Sequence, residues 1–532
     1  MACAGPAEPE PLDPSWREPT VPATAQLGDP VVCADPEARD AAPFERQTPH
    51  KLFDLESPQL GHGFGLAVED LDGDGRLDLV LPMLDAPPVL LLQRAEGWVE
   101  APERLPAAHE APVVGVSAVD VEGDGDVDLL LARVDAADLL LRNLGEGWFE
   151  ADPEALPADP AASLGGAWAD ADGDGDLDLF AVNGGALPRC DEAGGWLPAD
   201  PSALWLNRGD GTFEPAPLPA ALTEGYTLAA AWLDIDGDHD PDLVPTNDYG
   251  WLAAPDAAGL NDGAGGFTPG AEALGLSQRI AGMGVAVGDL NGDARPDFVK
   301  SGWGELVFLE SDADGWHETS QARGLPRGGA EQEIAWNAQL VDVDHDGDLD
   351  LPVAFGAIPA QEVDDTGFIA ECGAAGAANP GLQPDGLFLQ GADGRFEDVA
   401  VDWRVADAGP SRGMVLADLD GDGWLDLVKR SLAGADHLYR AACGEAAWTA
   451  IRLHQPGANP SAWGASVVVE ADGVRRWRSL SQGGLYSSSG PPVVHVGLGD
   501  AARIDRVEVT WPDGARSVVE DLPVNTPVTI AR

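Results

Sequence analysis

A nine-residue acidic stretch, Asp70 to Asp78, reads Asp-Leu-Asp-Gly-Asp-Gly-Arg-Leu-Asp and returns six more times, beginning at Asp120, Asp170, Asp234, Asp289, Asp342 and Asp418. Each copy sets acidic or amide side chains at positions 1, 3, 5 and 9 of a tight loop. Oxygen ligands at that spacing converge on one hard cation, with the position 7 backbone carbonyl completing the shell, and six to eight oxygens favour calcium over magnesium. The predicted ligands of the first loop are Asp70, Asp72, Asp74, Arg76 and Asp78, and of the second Asp120, Glu122, Asp124, Asp126 and Asp128. The third has Asp170, Asp172, Asp174, Asp176 and Asp178, and the fourth Asp234, Asp236, Asp238, Asp240 and Asp242. Asp289, Asn291, Asp293, Arg295 and Asp297 follow in the fifth, then Asp342, Asp344, Asp346, Asp348 and Asp350 in the sixth. The seventh has Asp418, Asp420, Asp422, Trp424 and Asp426. Up to seven Ca2+ ions are expected.

These are not EF-hands. Position 12, where an EF-hand places a bidentate Glu, is Leu81, Leu131, Ala181, Pro245, Lys300, Val353 or Lys429. Short apolar runs follow the loops, such as Leu-Asp-Leu-Val-Leu-Pro, and these are strand signals rather than amphipathic helices. The ion is therefore expected to staple a β-turn, with the position 9 Asp in the closing role.

The loop starts are 50, 50, 64, 55, 53 and 76 residues apart, close to one four-stranded blade per repeat. Each unit opens with a strand of small residues, such as Gly165-Gly166-Ala167-Trp168-Ala169, suited to a crowded central axis. The cue for a fourth strand recurs at Val99, Phe149, Phe213, Phe267, His317 and Phe396, one short of seven. The missing one is Ala42-Pro43-Phe44-Glu45, so residues near 43–48 are predicted to supply the last outer strand and close the ring. The sequence thus predicts an all-β chain, a seven-bladed β-propeller over residues 43–446 and an antiparallel β-sandwich over 447–532. Residues 1–42, rich in Pro, Ala, Asp and Glu, read as a disordered tether. Insertions near 184–202 and 356–384 fall between second and third strands, on the face opposite the acidic loops; loops of that kind are where binding function usually sits, and the other reading is tolerated surface elaboration.

Formal charge is −62, and the seven loops hold 31 of the 92 acidic residues. Full calcium loading leaves the surface acidic, which disfavours nucleic acid and anionic lipid. Disorder of the whole chain is excluded by 44% apolar residues at regular spacing, and no run of 18 apolar residues offers a transmembrane helix. Cys3, Cys33, Cys190, Cys372 and Cys443 form no CxxC; four of them could pair in an oxidising compartment, in an order the sequence does not assign. Met-Ala-Cys at the start is like the tail of a bacterial lipobox, which offers Cys3 as a lipid anchor; the other reading is a free Cys near an unstructured end.

Asp-x-Asp-x-Asp-Gly-x-x-Asp repeats alternating with turns such as Asn207-Arg208-Gly209-Asp210-Gly211-Thr212-Phe213 resemble FG-GAP/VCBS repeats, which form integrin-α-like seven-bladed propellers. The last module is similar to the ASPIC/UnbV domain at Gly464-Ala465, Leu485-Tyr486-Ser487, His495 to Gly499, Val507-Glu508-Val509 and Trp511 to Gly514. The combination is that of cartilage-acidic-protein-like secreted proteins and many bacterial surface proteins. The resemblance implies calcium-dependent interaction outside the cell, with a protein or glycan as partner. Two loops depart from the pattern at position 6, with His239 in the fourth and Ala294 in the fifth for Gly. The fifth also has Asn291 for Asp, so loops one, two, three and seven are expected to bind best, the sixth nearly as well, and the fourth and fifth worst. Affinity is expected at the extracellular level of about 10⁻⁴ to 10⁻³ M.

Two functions follow. One is a binding or adhesion propeller with no catalytic residue. The alternative is a carbohydrate-active propeller, lectin or polysaccharide lyase, which needs a base and a charge-neutralising group in one cleft. The histidines (His50, His62, His109, His239, His317, His345, His437, His454 and His495) are scattered, with turn or core roles expected for His239, His345 and His495. Trp196, Trp205 and Trp251 could stack sugars, but core packing is the expectation.

Overall fold

The computed structural model describes residues 20–34, 43–47, 64–106, 111–134, 136–159, 161, 163–184, 198–325, 333–356, 383–432 and 435–532. Cys3, Cys190, Cys372, Trp196, His50, His62, His109 and most of both insertions lie outside these residues.

Each acidic loop joins the first two strands of a four-stranded antiparallel sheet, and among the described residues seven such sheets carry the repeats. In blade two the strands are Val113–Val119, Asp128–Arg133, Leu139–Asn143 and Phe149–Asp152. The first two strands are buried almost throughout, so they read as apolar runs; the fourth buries only Phe149 and leaves Glu150 exposed to solvent. The turn motif sets the register of the outer pair. Asn207 stands opposite Phe213, Asn143 opposite Phe149 and Asn261 opposite Phe267. The last sheet takes its outer strand from the other end of the chain: Phe44–Gln47 pairs antiparallel with His437–Ala441, Phe44 opposite Ala441. This is the strand that the repeat count leaves missing.

The C-terminal module packs two four-stranded sheets. One is Val474–Ser479, Ser466–Ala471, Ile504–Thr510 and Arg516–Leu522, and the other contains Thr526–Ala531, Ala447–His454 and Val494–Gly499. Two expectations are corrected here. The sandwich is not wholly antiparallel: Ala447–His454 and Thr526–Ala531, which open and close the module, run parallel because the rest of the module forms the crossover between them. Nor are residues 20–34 a free tether. Thr24–Leu27 adds an edge strand beside Thr526–Ala531, and Cys33 forms a disulfide with Cys443. Composition flagged this stretch as disordered because a single edge strand has too few apolar residues to show a period. The edge of an existing sheet supplies the backbone partners that the stretch lacks alone.

The modules are not strung on a linker. One apolar cluster joins Val119, Trp168 and Phe213 of the propeller to Ile451, Val467, Trp511 and Ile530 of the sandwich. A loop of the sandwich, residues 481–490, also runs into the axis of the ring and bonds to one inner strand after another. Val68 N–H donates to Ser489 O (3.1 Å), Val116 to Ser487 O (3.2 Å), Trp168 to Gln482 O (3.2 Å) and Val285 to Gly484 O (3.0 Å), while Gly484 N–H donates to Ala230 O (2.6 Å). Tyr486 meets Trp336 of blade six with ring centroids 5.1 Å apart, and Ser488 lies against Gly413 of blade seven. The small inner residues thus have a second reason besides crowding by neighbouring blades. A Cβ on Gly65 would fall 1.6 Å from Ser487 O.

Candidate metal centres

The loops fold as the spacing demands. Positions 4 and 6 take the left-handed conformation, with φ of 70° at Gly73 and 85° at Gly75. His239 (75°), Ala294 (64°) and, at position 4 of the sixth loop, His345 (63°) adopt it with a side chain, at roughly 1–2 kcal/mol each. The strain expected of loops four and five therefore extends to loop six. The position 1 carboxylate caps the turn: Asp70 Oδ1 and Oδ2 accept from Asp74 N–H (3.1 Å) and Gly75 N–H (2.9 Å). Position 5 accepts from the position 7 N–H, as Asp74 does from Arg76 (3.0 Å).

Position 9 is the invariant staple of every blade. Asp78 accepts from Leu71 N–H (3.0 Å) in its loop and from Gln93 N–H (2.7 Å) in the third strand. The same two bonds recur at Asp128, Asp178, Asp242, Asp297, Asp350 and Asp426. All seven side chains are buried. Burial, then nearby carboxylates, pushes these groups up: Asp78, Asp242 and Asp297 to about 7, Asp178 to about 8 and Asp128 to about 9. A divalent ion reverses that logic by favouring the charged form.

Positions 1, 3 and 9 bring one oxygen each to within 4.8 Å of one another in Asp70/Asp72/Asp78, Asp120/Glu122/Asp128, Asp170/Asp172/Asp178, Asp234/Asp236/Asp242 and Asp342/Asp344/Asp350. Oxygens that far apart can share a cation at the 2.3–2.6 Å typical of calcium. Asp72 Oδ1, Asp170 Oδ1 and Asp342 Oδ1 are buried without a hydrogen-bond partner, as fits carboxylate oxygens that would ligate a cation. The donor set is all oxygen, so the residues fit a hard divalent ion.

Arginines differentiate the loops. Arg94 bridges Asp72 and Asp74, Arg142 pairs with Glu122, and Arg440 pairs with Asp426, each from the third strand. The residues aligned with Arg142 and Arg440 are Leu206 in blade three and Leu260 in blade four. An ion must therefore share carboxylates with a guanidinium in loops one, two and seven.

Sequence reasoning missed the residues that tie one loop to the next. Asn143 Nδ2 donates to Leu71 O (2.9 Å), Asn207 to Val121 O (2.8 Å), Asn261 to Ala171 O (2.8 Å) and Gln93 Nε2 to Leu419 O (2.8 Å). Each reaches from a third strand to position 2 of the preceding blade's loop. The signal was the Asn of the Asn-x-Gly-x-Gly-x-Phe turn, read only for its turn.

The C-terminal module covers this face of the ring. Ala458 packs against Gly123, Gly514 against His239 and Trp448 against Gly423, and His495 Nε2–H donates to Gly423 O (2.9 Å). Thus His239 and His495 hold turns and the module seam. Trp205 is buried in the core as expected, whereas Trp251 is 50% exposed and is not a core residue.

Acidic-loop blades around an axis filled by a sandwich loop define an FG-GAP-repeat propeller with an ASPIC/UnbV module. The model for the FG-GAP-like repeat matches residues 70–131, 120–181 and 196–244, and that for ASPIC and UnbV matches residues 455–532. The chain is similar to cartilage acidic protein 1 of Mus musculus, 28% identical over 276 residues that cover 49% of this chain and 39% of that one. The Xenopus tropicalis protein of the same name is 28% identical over 291 residues, 51% of this chain and 40% of that one. The match therefore spans about two fifths of these curated relatives. A solved Agrocybe aegerita lectin that recognises non-reducing terminal N-acetylglucosamine superposes with a TM-score of 0.39 at 17% identity, covering 63% of this chain and 79% of that one. The repeats and the Cys33–Cys443 disulfide are those of an extracellular propeller-type protein. Among the described residues no helix is long and apolar enough to cross a membrane.

Proposed function

We propose that the chain is a calcium-stabilised binding or adhesion protein of the cell exterior or cell surface. Its ligand, a protein or a glycan, docks on the propeller face opposite the acidic loops. The observation that carries this reading is the coverage of the acidic-loop face by the C-terminal module, from Ala458 on loop two to Trp448 on loop seven. That leaves the other end of the ring, where second strands turn into third strands, as the outward face. Calcium in turns capped by their own carboxylates serves rigidity, not chemistry. Attachment through Cys3 would place the protein on a membrane surface.

Calorimetric unfolding with and without a chelator tests the calcium reading. A large fall in the melting temperature is expected on chelation, because an ion that binds only the folded state adds stability by mass action. An unchanged curve, with no metal in the purified protein, would overturn it.

The polysaccharide-lyase alternative draws on one cluster. His437 Nδ1 lies 2.6 Å from Asp407, with Tyr439 and Lys429 beside them, the parts of a base next to a cation. Tyr439 and Lys429 are both buried, which keeps them from a polymer. Release of ultraviolet-absorbing product from uronate polymers would establish that alternative.

A further inference from the structure

At the end of blade four farthest from its acidic loop, the second strand Asp242–Asp248 runs into a turn that presents Trp251 and Leu252, each 50% exposed. Two large apolar side chains side by side in solvent need an explanation in so acidic a chain. Tyr249 backs them, edge-on to Trp251 at 6.2 Å and to Tyr226 at 5.6 Å. Beside this shelf is a hollow of about 270 Å³ lined by Pro198, Ala199, Glu224, Tyr226, Tyr249 and Leu252 among others.

The turn is rigid and strained. Tyr249 has φ of 53°, a left-handed conformation that is an outlier for a bulky residue. It is held there because its carbonyl accepts from Leu252 and Ala253 N–H (2.8 Å each), and because Gly250 is pinned by Ile280 O (2.8 Å) and by Arg279 Nη1 (3.0 Å). Backbone strain of this kind concentrates at ligand clamps.

We propose that this shelf and hollow bind a neutral oligosaccharide, one pyranose ring stacked on Trp251 and the next in the hollow, where the Glu224 carboxylate accepts hydroxyl hydrogen bonds. The inference rests on the reading that the ligand docks on this face, and it names the ligand's class and site. An aromatic face takes the apolar side of a sugar, and a carboxylate, which only accepts, suits paired hydroxyls. The hollow, whose lining includes Tyr249 and Leu252 of the shelf but not Trp251, is below the range of roughly 300–1,000 Å³ used for drug-sized ligands and has room for one ring next to the one on Trp251. Charge decides between sugar classes. Glu224, exposed at the rim, and a net charge of −62 repel uronate and sulfated polymers.

The test is titration calorimetry of the full chain in calcium with neutral oligosaccharides of hexose and N-acetylhexosamine units, with polygalacturonate as the anionic comparison. Adhesion to immobilised matrix is measured in parallel. At least one neutral oligosaccharide is expected to bind. Trp251→Ala should weaken it about tenfold or more with an unchanged melting temperature, and Glu224→Gln should weaken it by a smaller factor. Binding by polygalacturonate alone, no binding by any neutral sugar, or full affinity in Trp251→Ala would overturn the proposal. Adhesion that persists equally in wild type and Trp251→Ala, with no sugar bound, would sink this site while leaving the binding-protein reading intact.

Discussion

The side-chain amide of Asn207, in the third strand of blade three, donates to the backbone carbonyl of Val121 in the acidic loop of blade two at 2.8 Å. The same nitrogen reaches Leu177 O (3.3 Å), and its oxygen accepts from Gly209 (3.1 Å) and Gly211 (3.0 Å). One buried residue therefore closes its own turn, seats its own loop and fastens the neighbouring blade. Asn207→Ala is expected to cost about 1–3 kcal/mol, because it orphans the buried carbonyl of Val121. Urea unfolding checks this; a loss within error would show that the seam holds without it.

The sandwich loop in the ring axis should make the two modules unfold together. Gly484 has φ of 80°, and a Cβ there would lie 2.4 Å from Val285 O. Gly484→Val is expected to unseat the loop, at a cost of about 3 kcal/mol or more. It should also split one calorimetric transition into two and open residues 481–490 to protease. A single transition at the wild-type temperature would count against the loop as the coupling element.

The N-terminal segment fastens both modules in succession: Thr24–Leu27 to the sandwich, Cys33 to Cys443, and Phe44–Gln47 to blade seven. The disulfide spans 410 residues, so in the chain-entropy model it restricts the unfolded state by about 6 kcal/mol, with measured values nearer 2–4. Cys33→Ser with Cys443→Ser is expected to lower stability by about 2–4 kcal/mol. Removal of residues 1–47 should lower it further, because blade seven then loses its outer strand. Denaturant midpoints of the three proteins give the order.

The module seam should weaken in mild acid. Burial pushes the His495 imidazole down to about 4, against the hydrogen bond to Gly423 O that favours the protonated ring; Arg478 adds to the depression. The folded value lies below the ordinary 6.5, so this contribution is full above pH 6.5 and is lost as pH falls toward 4. The loss amounts to at most about 3 kcal/mol. Buried carboxyls with raised values act in the opposite direction, so the measurement is a difference. Wild type should lose more stability than His495→Gln between pH 7 and pH 4.5, and equal losses would remove His495 as the cause.

The acidic nonapeptides were legible because their chemistry is local. Ligand spacing, the left-handed positions and the strand that follows all lie within about a dozen residues, so periodicity displays them. The ring closure through Phe44 was legible too, since a repeat short of one outer strand must borrow it. The Asn207–Val121 bond left no such trace: it joins residues 86 apart, and Asn in a glycine-rich turn has a sufficient local reason to be there. Residues 20–34 were misread because one edge strand cannot announce a partner more than 490 residues away in Thr526–Ala531.

By itself, then, the order of residues determined the repeat, its cation chemistry and the all-β class, since each follows from side chains that are near neighbours along the chain. Tertiary structure alone decided which face of the ring is covered, what fills its axis and that Trp251 stands in solvent. Those depend on where the sandwich docks, and docking is a sum over many surfaces distant in the chain that no short window of sequence contains.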